Sequence, residues 1–190
     1  MKELDIRDIS IIDAFPVHGS WIKTVLNVGC GEGRIDYYLA KANHQVYATD
    51  IKRCETWQNR ENLTFHEADI FDLSSFPVAS ASIVICSQNL EHLREYKTAI
   101  AHLLALTETR LIVTVPYGRS FPDSGHVNFW TDNGFLAGSV CNDIHEFITL
   151  CAPFSTAISK IRTKPEDVML EQWGYLVVID KRQHLMEVKK

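Results

Sequence analysis

The chain has 190 residues, of which 46% are hydrophobic and 23% charged, with a formal net charge of −5; such a composition builds one substantial core and excludes a disordered or low-complexity chain. Lys and Arg form no dense block before the terminal Lys189-Lys190, which disfavours nucleic acid as a partner because phosphate binding needs concentrated positive charge. No run reaches the roughly 18 apolar residues of a membrane span, and Met1-Lys2-Glu3-Leu4-Asp5 lacks the basic and then apolar character of a secretion signal, so a cytoplasmic location is expected.

In chain order, residues 1–22 read as an N-terminal helical segment, in which Phe15, Trp21 and Ile22 are placed to wall a lid, and 23–180 as the core of a single domain covering 1–190. A first strand is predicted over 24–28, followed by a glycine loop and a helix over 33–43 with Ile35, Leu39 and Ala40 on one face. Asn43-His44 turns the chain into a strand at 45–49, and further strands are predicted at 63–66, 82–86, 111–115, 146–150 and 174–179. Ile83-Val84-Ile85 and Leu111-Ile112-Val113 are continuous rather than alternating, as in strands covered on both faces. Between them Leu93, Tyr96, Ile100, Leu103 and Leu104 recur at helical spacing, giving a crossover helix and a parallel βαβ unit. Pro116 ends the pattern, and a long polar loop follows to Thr131-Asp132-Asn133, which looks like a helix start. Residues 153–167 read as a polar connection. The five cysteines are odd in number, form no CxxC pair and lie mostly in apolar stretches, so reduced thiols are expected rather than disulfides or zinc.

The chemistry concentrates at Asn27-Val28-Gly29-Cys30-Gly31-Glu32-Gly33, a strand running into alternating glycines and then a helix. Missing Cβ atoms let a ligand approach the backbone, and N–H groups at the helix start favour a negative ligand group. The second strand runs on into Asp50, an acid at its C-terminal edge that suits a ribose diol. A dinucleotide site wants G-x-G-x-x-G/A, but Arg34 stands at the third glycine position.

With these residues the chain resembles the class I S-adenosylmethionine-dependent methyltransferases, whose first motif is an apolar run, an acidic or amide residue and GxGxG. Glu67-Ala68-Asp69-Ile70 is similar to that family's third-strand segment, and 82–93, containing Leu90-Glu91-His92-Leu93, to its fourth-strand motif, with Ser82 where aspartate is usual. The resemblance covers about residues 20–150 and implies a Rossmann-like three-layer sandwich with a mostly parallel seven-stranded sheet and an antiparallel last strand. It implies S-adenosyl-L-methionine as cofactor, contacted by Asn27, Gly29, Cys30, Gly31 and Gly33, by Asp50 and Ile51, by Asp69 and Ile70, and by Ser87 and Gln88.

Methyl transfer needs an acceptor held in line and, for weak nucleophiles, a base. Ligands of such sheets sit beyond the C-terminal strand ends, so candidates follow the fourth and fifth strands. His126 is the first choice of base and His92 the second, with Glu91, Tyr117, Arg119, Asn128 and Trp130 on the acceptor side. The expected acceptor is an oxygen or nitrogen of a small molecule, and the expected assembly a monomer or homodimer. Glu91, His92 and His126 are also similar to part of the metal cluster of small-RNA 3′-end methyltransferases, but Gln88 and Asn128 replace two of its ligands, so no metal is expected. The alternatives are a noncatalytic S-adenosylmethionine-binding partner or regulator and an RNA-end methyltransferase.

Overall fold

The computed structural model describes residues 4–16, 22–118, 125–136, 139–162 and 173–182. Seven strands form one sheet: β1 (Thr24–Val28), β2 (Gln45–Asp50), β3 (Leu63–Glu67), β4 (Ala81–Ser87), β5 (Thr107–Pro116), β6 (Ser155–Arg162) and β7 (Trp173–Asp180). Their order across the sheet is β6-β7-β5-β4-β1-β2-β3. Strands β1 to β5 pair in parallel, while β7 runs antiparallel to both β5 and β6.

Strand periodicity divides the core in two. Side chains alternate between faces, so Leu26, Val84, Leu111 and Val113 join one cluster while neighbouring Val25, Ile83, Ile85 and Ile112 join the other. Helix α3 (Tyr96–Leu106) covers the first face with Tyr96, Ala99, Ile100, Leu103 and Leu106, and Phe147 of α4 (Glu146–Leu150) packs beside it. Helices α1 (Ile6–Asp13) and α2 (Arg34–Lys41) cover the second through Ile11, Ile35, Leu39 and Ala40. The continuous apolar runs of β4 and β5 follow from this double burial, each fully buried Ile, Leu or Val stabilising the fold by about 1.5–3 kcal/mol. Phe15 and Ile22 are half-buried against the α1–α2 side, which fixes them to the core; Trp21 lies outside the described residues. Among the described residues no helix is long and apolar enough to cross a membrane.

Three expectations are corrected. Residues 146–150 form the short helix α4, although Phe, Ile and Thr favour strands; Phe147 alone of this helix is buried. The remaining strand is β6, within the expected polar connection. It is an edge strand with residues 155, 157 and 159 exposed, so it carries little apolar signal. Thr131-Asp132-Asn133 starts no helix: Trp130–Thr131 pairs with Asn142–Asp143, and Asn133 Oδ1 accepts from Phe135 N at 3.2 Å, a turn bond of the kind that draws Asn out of helices.

Candidate functional site

The sheet order reverses between β1 and β4, and the crevice for a ligand opens beyond the C-terminal ends of strands at such a point. There the glycine loop is folded tightly by backbone: Gly29 N and Cys30 N donate to Thr49 O at 2.8 and 3.0 Å, and Gly33 N donates to Cys30 O at 3.0 Å. Gly33 is the N-cap of α2 with φ +74°, and a Cβ there would lie 1.9 Å from the Trp57 ring. At Gly29 a Cβ would lie 2.2 Å from Asn89 Nδ2. Gly31 differs, because nothing lies within 4 Å of its missing Cβ; this is the point at which a ligand can lie on the backbone. Asp50 is held beside it, accepting from Gly31 N at 2.9 Å and from Ile51 N at 2.8 Å.

A cavity of about 380 Å³ opens here, lined by Asn27, the glycine loop, Ser87 and Gln88, and also by Arg7 and Asp8 of α1. Gln88 adopts φ +52°, a left-handed conformation uncommon outside glycine and enriched at functional sites. It is held by its N–H donating to Thr114 O at 2.9 Å, beside a 2.7 Å bond between the Ser87 and Thr114 hydroxyls. Burial first, then the carboxylates of Asp36 and Asp50, push the Cys30 thiol well up, leaving it a neutral wall. Asp69 is exposed past the end of β3, its Oδ1 accepting from Phe71 N at 2.9 Å. Ile70 is drawn into the core, 6% exposed, whereas Ile51, at 77% exposed, is the open apolar residue beside Asp50.

Beneath the loop, Asn27 Nδ2 donates to Asp36 Oδ2 at 2.9 Å. Asp36 is fully buried, and desolvation outweighs the Asn27 bond to push its carboxyl up to about 7. Asn27 Oδ1 and Asp36 Oδ1 have no hydrogen-bond partner among the described residues. Because the folded pKa lies above the unfolded one, Asp36 costs nothing below about pH 4, and stability is lost as pH rises from there through about 7. Asp36→Asn, which keeps an acceptor for Asn27 and adds a donor, is therefore expected to flatten that slope and to raise stability at pH 8 by about 1–2 kcal/mol. Urea unfolding of both proteins at pH 5 and pH 8 checks this; an unchanged pH dependence would contradict it.

On the acceptor side, the loop after β5 is fastened to the loop after β4. Val127 N and Asn128 N donate to Glu91 O at 2.7 and 3.1 Å, and Asn128 Nδ2 donates to Leu90 O and Leu93 O at 3.1 and 2.6 Å. Nδ1 of His92 lies 3.2 Å from Gly125 O. Glu91, His92 and His126 are thereby gathered: the imidazole rings meet edge to face at 4.7 Å between centroids, and His126 Nε2 lies 4.0 Å from Oε1 of the buried Glu91. Their ligand-type atoms all fall within 4.8 Å of one another, a donor set that also suits a divalent ion.

Other expected acceptor residues are placed differently. Asn128 is buried and spends its amide on pinning the loop. Trp130 is fully buried, edge-on to Tyr96 at 5.4 Å, so its ring belongs to the core. Tyr117 is half-buried, 5.6 Å from the Tyr175 ring and capped by Lys160 Nζ at 3.5 Å. Arg119 lies outside the described residues. Sequence reasoning passed over Asp36, Arg7 and Asp8. Asp36 had a signal, since it falls within the buried arc of Ile35, Leu39 and Ala40 on α2. Arg7 and Asp8 had none, because only the tertiary fold carries α1 to the glycine loop.

A family model for a methyltransferase domain matches residues 26–108, from β1 to the start of β5. Among solved structures, the magnesium protoporphyrin IX methyltransferase ChlM from Synechocystis PCC 6803, with bound SAH, is similar at TM-score 0.62 and 20% identity, covering 92% of this chain and 84% of its own. The 1,6-didemethyltoxoflavin-N1-methyltransferase of Burkholderia thailandensis, holding 1,6-didemethyltoxoflavin and S-adenosylhomocysteine, is similar at 0.65 and 17%, with coverages of 93% and 79%. The [4+2]-cyclase SpnF is similar at 0.63 and 13%, with coverages of 92% and 79%. No curated protein matches the chain by sequence. Identities this low establish the shared fold, and the domain match takes in the glycine loop, Asp50 and the β4 motif. Over residues 26–108 the chain matches a methyltransferase domain, and it shares the fold of methyltransferases solved with bound S-adenosylmethionine or S-adenosylhomocysteine.

Proposed function

We propose that the chain methylates an oxygen or nitrogen of a small-molecule acceptor, with His126 taking the acceptor's proton. The observation that carries this is the fastening of the two loops, which gathers Glu91, His92 and His126 in the chain segment that follows Gln88, itself on the cavity wall. When bound, S-adenosylmethionine supplies an electrophilic methyl carbon. Asn27 and the open face of Gly31 hold the amino-acid side, and Asp50 takes the ribose hydroxyls. The His126 imidazole receives the proton from the acceptor's O–H or N–H, and the buried Glu91 carboxylate 4.0 Å away favours the imidazolium so formed. That two similar structures carry names with organic small-molecule substrates supports this acceptor class.

The test is turnover of labelled S-adenosylmethionine across hydroxyl and amine acceptors. Transfer to a small molecule is the expected result, whereas tight cofactor binding with no transfer to any acceptor would favour a noncatalytic partner. Asp50→Ala is expected to weaken S-adenosylmethionine binding by about 10- to 100-fold, the worth of hydrogen bonds to a charged group. Titration calorimetry measures it, and an unchanged Kd would remove Asp50 from the site. The 4.8 Å cluster also favours a second reading, in which a divalent ion sits on Glu91, His92 and His126. Activity lost to a chelator and restored by added metal would select it over proton transfer to His126.

A further inference from the structure

The edge strand β6 changes character along its length. Residues 156, 158, 160 and 162 share one face. Ile158 packs on the core, but Lys160 and Arg162 follow it, at the end of the sheet where β5 stops and the loop carrying His126 begins. Their neighbours are rings. Lys160 pairs with Tyr175 and Arg162 with Trp173 across β7, and Tyr117, next after β5, donates its N–H to Trp173 O at 3.0 Å. Lys160 Nζ lies 3.5 Å from the centroid of the Tyr117 ring and 5.9 Å from that of Trp173, and Arg162 Cζ lies 5.4 Å from Trp173. The ring faces hold two long cationic side chains in place.

Asp132 meets Lys160 only loosely. Its Oδ2 lies 3.5 Å from Nζ, longer than the about 2.8 Å of a strong charge-assisted bond, while its Oδ1 accepts from Tyr175 OH at 2.6 Å. The Asp132 side chain is 60% exposed and that of Lys160 37%, so an incoming anion can reach Lys160 and displace Asp132 from it. Asp143, a second carboxylate acting on Tyr175, accepts from His145 N at 2.9 Å. The position suits one end of an acceptor. Glu91, His92 and His126 are gathered past the end of β4, and β7 and β6 lie two and three strands away across the sheet, on the order of 10–15 Å at a strand spacing of about 4.8 Å. A small organic molecule with its reactive end at His126 can therefore set an acidic end against these cations.

We propose that Lys160 and Arg162 bind an anionic group of the acceptor, which makes the substrate an organic acid rather than a neutral or cationic molecule. This rests on the small-molecule acceptor reading above, and the test separates the two. With the full-length chain saturated by S-adenosylhomocysteine, 6-hydroxy-2-naphthoate and the neutral 2-naphthol are titrated by calorimetry. The naphthoate, whose hydroxyl and carboxylate sit at opposite ends of two fused rings, is expected to bind at least about tenfold more tightly than the naphthol. Lys160→Met and Arg162→Met should each weaken the naphthoate by about tenfold and leave 2-naphthol within about twofold. Asp132→Asn, which keeps an acceptor for Tyr175 and removes the competing charge, should tighten the naphthoate by about threefold. Cations that merely guard the edge strand against pairing would treat both probes alike. Equal affinities for the two probes, equal losses on both in Lys160→Met, or weaker naphthoate binding in Asp132→Asn would overturn the proposal, as would no naphthoate binding at about 10 mM. Labelled S-adenosylmethionine tests the underlying reading separately. Transfer to neutral small molecules at rates that Lys160→Met leaves unchanged would overturn the anion subsite alone, whereas transfer to no small molecule would overturn the acceptor reading and the subsite with it.

Discussion

Alanine at His126 is expected to lower kcat for methyl transfer by about 10²- to 10⁴-fold, the usual worth of a positioned base, while Kd for S-adenosylmethionine stays within about twofold. The split follows from the geometry. His126 reaches the site from the loop after β5, against Glu91 and His92, whereas Asp50 and Gly31 belong to β2 and the glycine loop. Because His126 also packs 6.3 Å from the Phe129 ring, loosening of the loop must be told apart from loss of the base. Two readouts do so. Added imidazole should restore part of the activity of His126→Ala, and His126→Gln, which fills space without accepting a proton in the same way, should be as slow as alanine. A His126→Ala variant that turns over normally but binds cofactor as weakly as Asp50→Ala would contradict the assignment.

Gly33→Ala is expected to cost about 3–5 kcal/mol of stability. The left-handed conformation accounts for about 1–2 kcal/mol; the rest comes from forcing back Trp57, whose ring would lie 1.9 Å from the new Cβ. Trp57 has little freedom to yield, being 5% exposed, stacked on Tyr37 at 5.3 Å and tilted against Phe65 at 5.3 Å. For a chain of this size that corresponds to a fall in Tm on the order of 10 °C. Gly31→Ala is the informative contrast. Its Cβ meets nothing within 4 Å, so it should lose only about 1–2 kcal/mol to the left-handed backbone but obstruct the cofactor. Thermal unfolding of the two variants side by side is the check, and equal melting temperatures would contradict the separate roles given to these glycines.

The contrast also explains what could be read in the sequence. Everything local was legible: strand, glycine loop, α2 and Asp50 follow one another within a short stretch, and each leaves its own pattern. The buried runs of β4 and β5 were legible because both faces are covered, which makes the apolar signal continuous. Strand β6 was hidden, since an edge strand exposed along one side can be polar and still pair fully with β7. Residues 146–150 misled because Phe, Ile and Thr carry strand propensity, whereas their fate was set by Phe147 entering the core beside Cys151. In the site, Ile70 was assigned by its place in the motif order and Trp130 as an aromatic of the long loop after β5; both are buried, which only the tertiary fold decides. Arg7 and the left-handed backbone of Gln88 depend on tertiary contacts, with Asp5, Asp8 and Arg34 in one case and Thr114 in the other. No spacing rule along the chain encodes such contacts.

The central claim is that the loop at 27–33, with Asp50 beside it, is a cofactor site. The most direct measurement is calorimetric titration of the purified chain with S-adenosylmethionine and S-adenosylhomocysteine. The expected result is one site per chain with Kd on the order of micromolar for both ligands, abolished or much weakened in Asp50→Ala. Absence of any binding heat with both ligands at about millimolar concentration would contradict the claim.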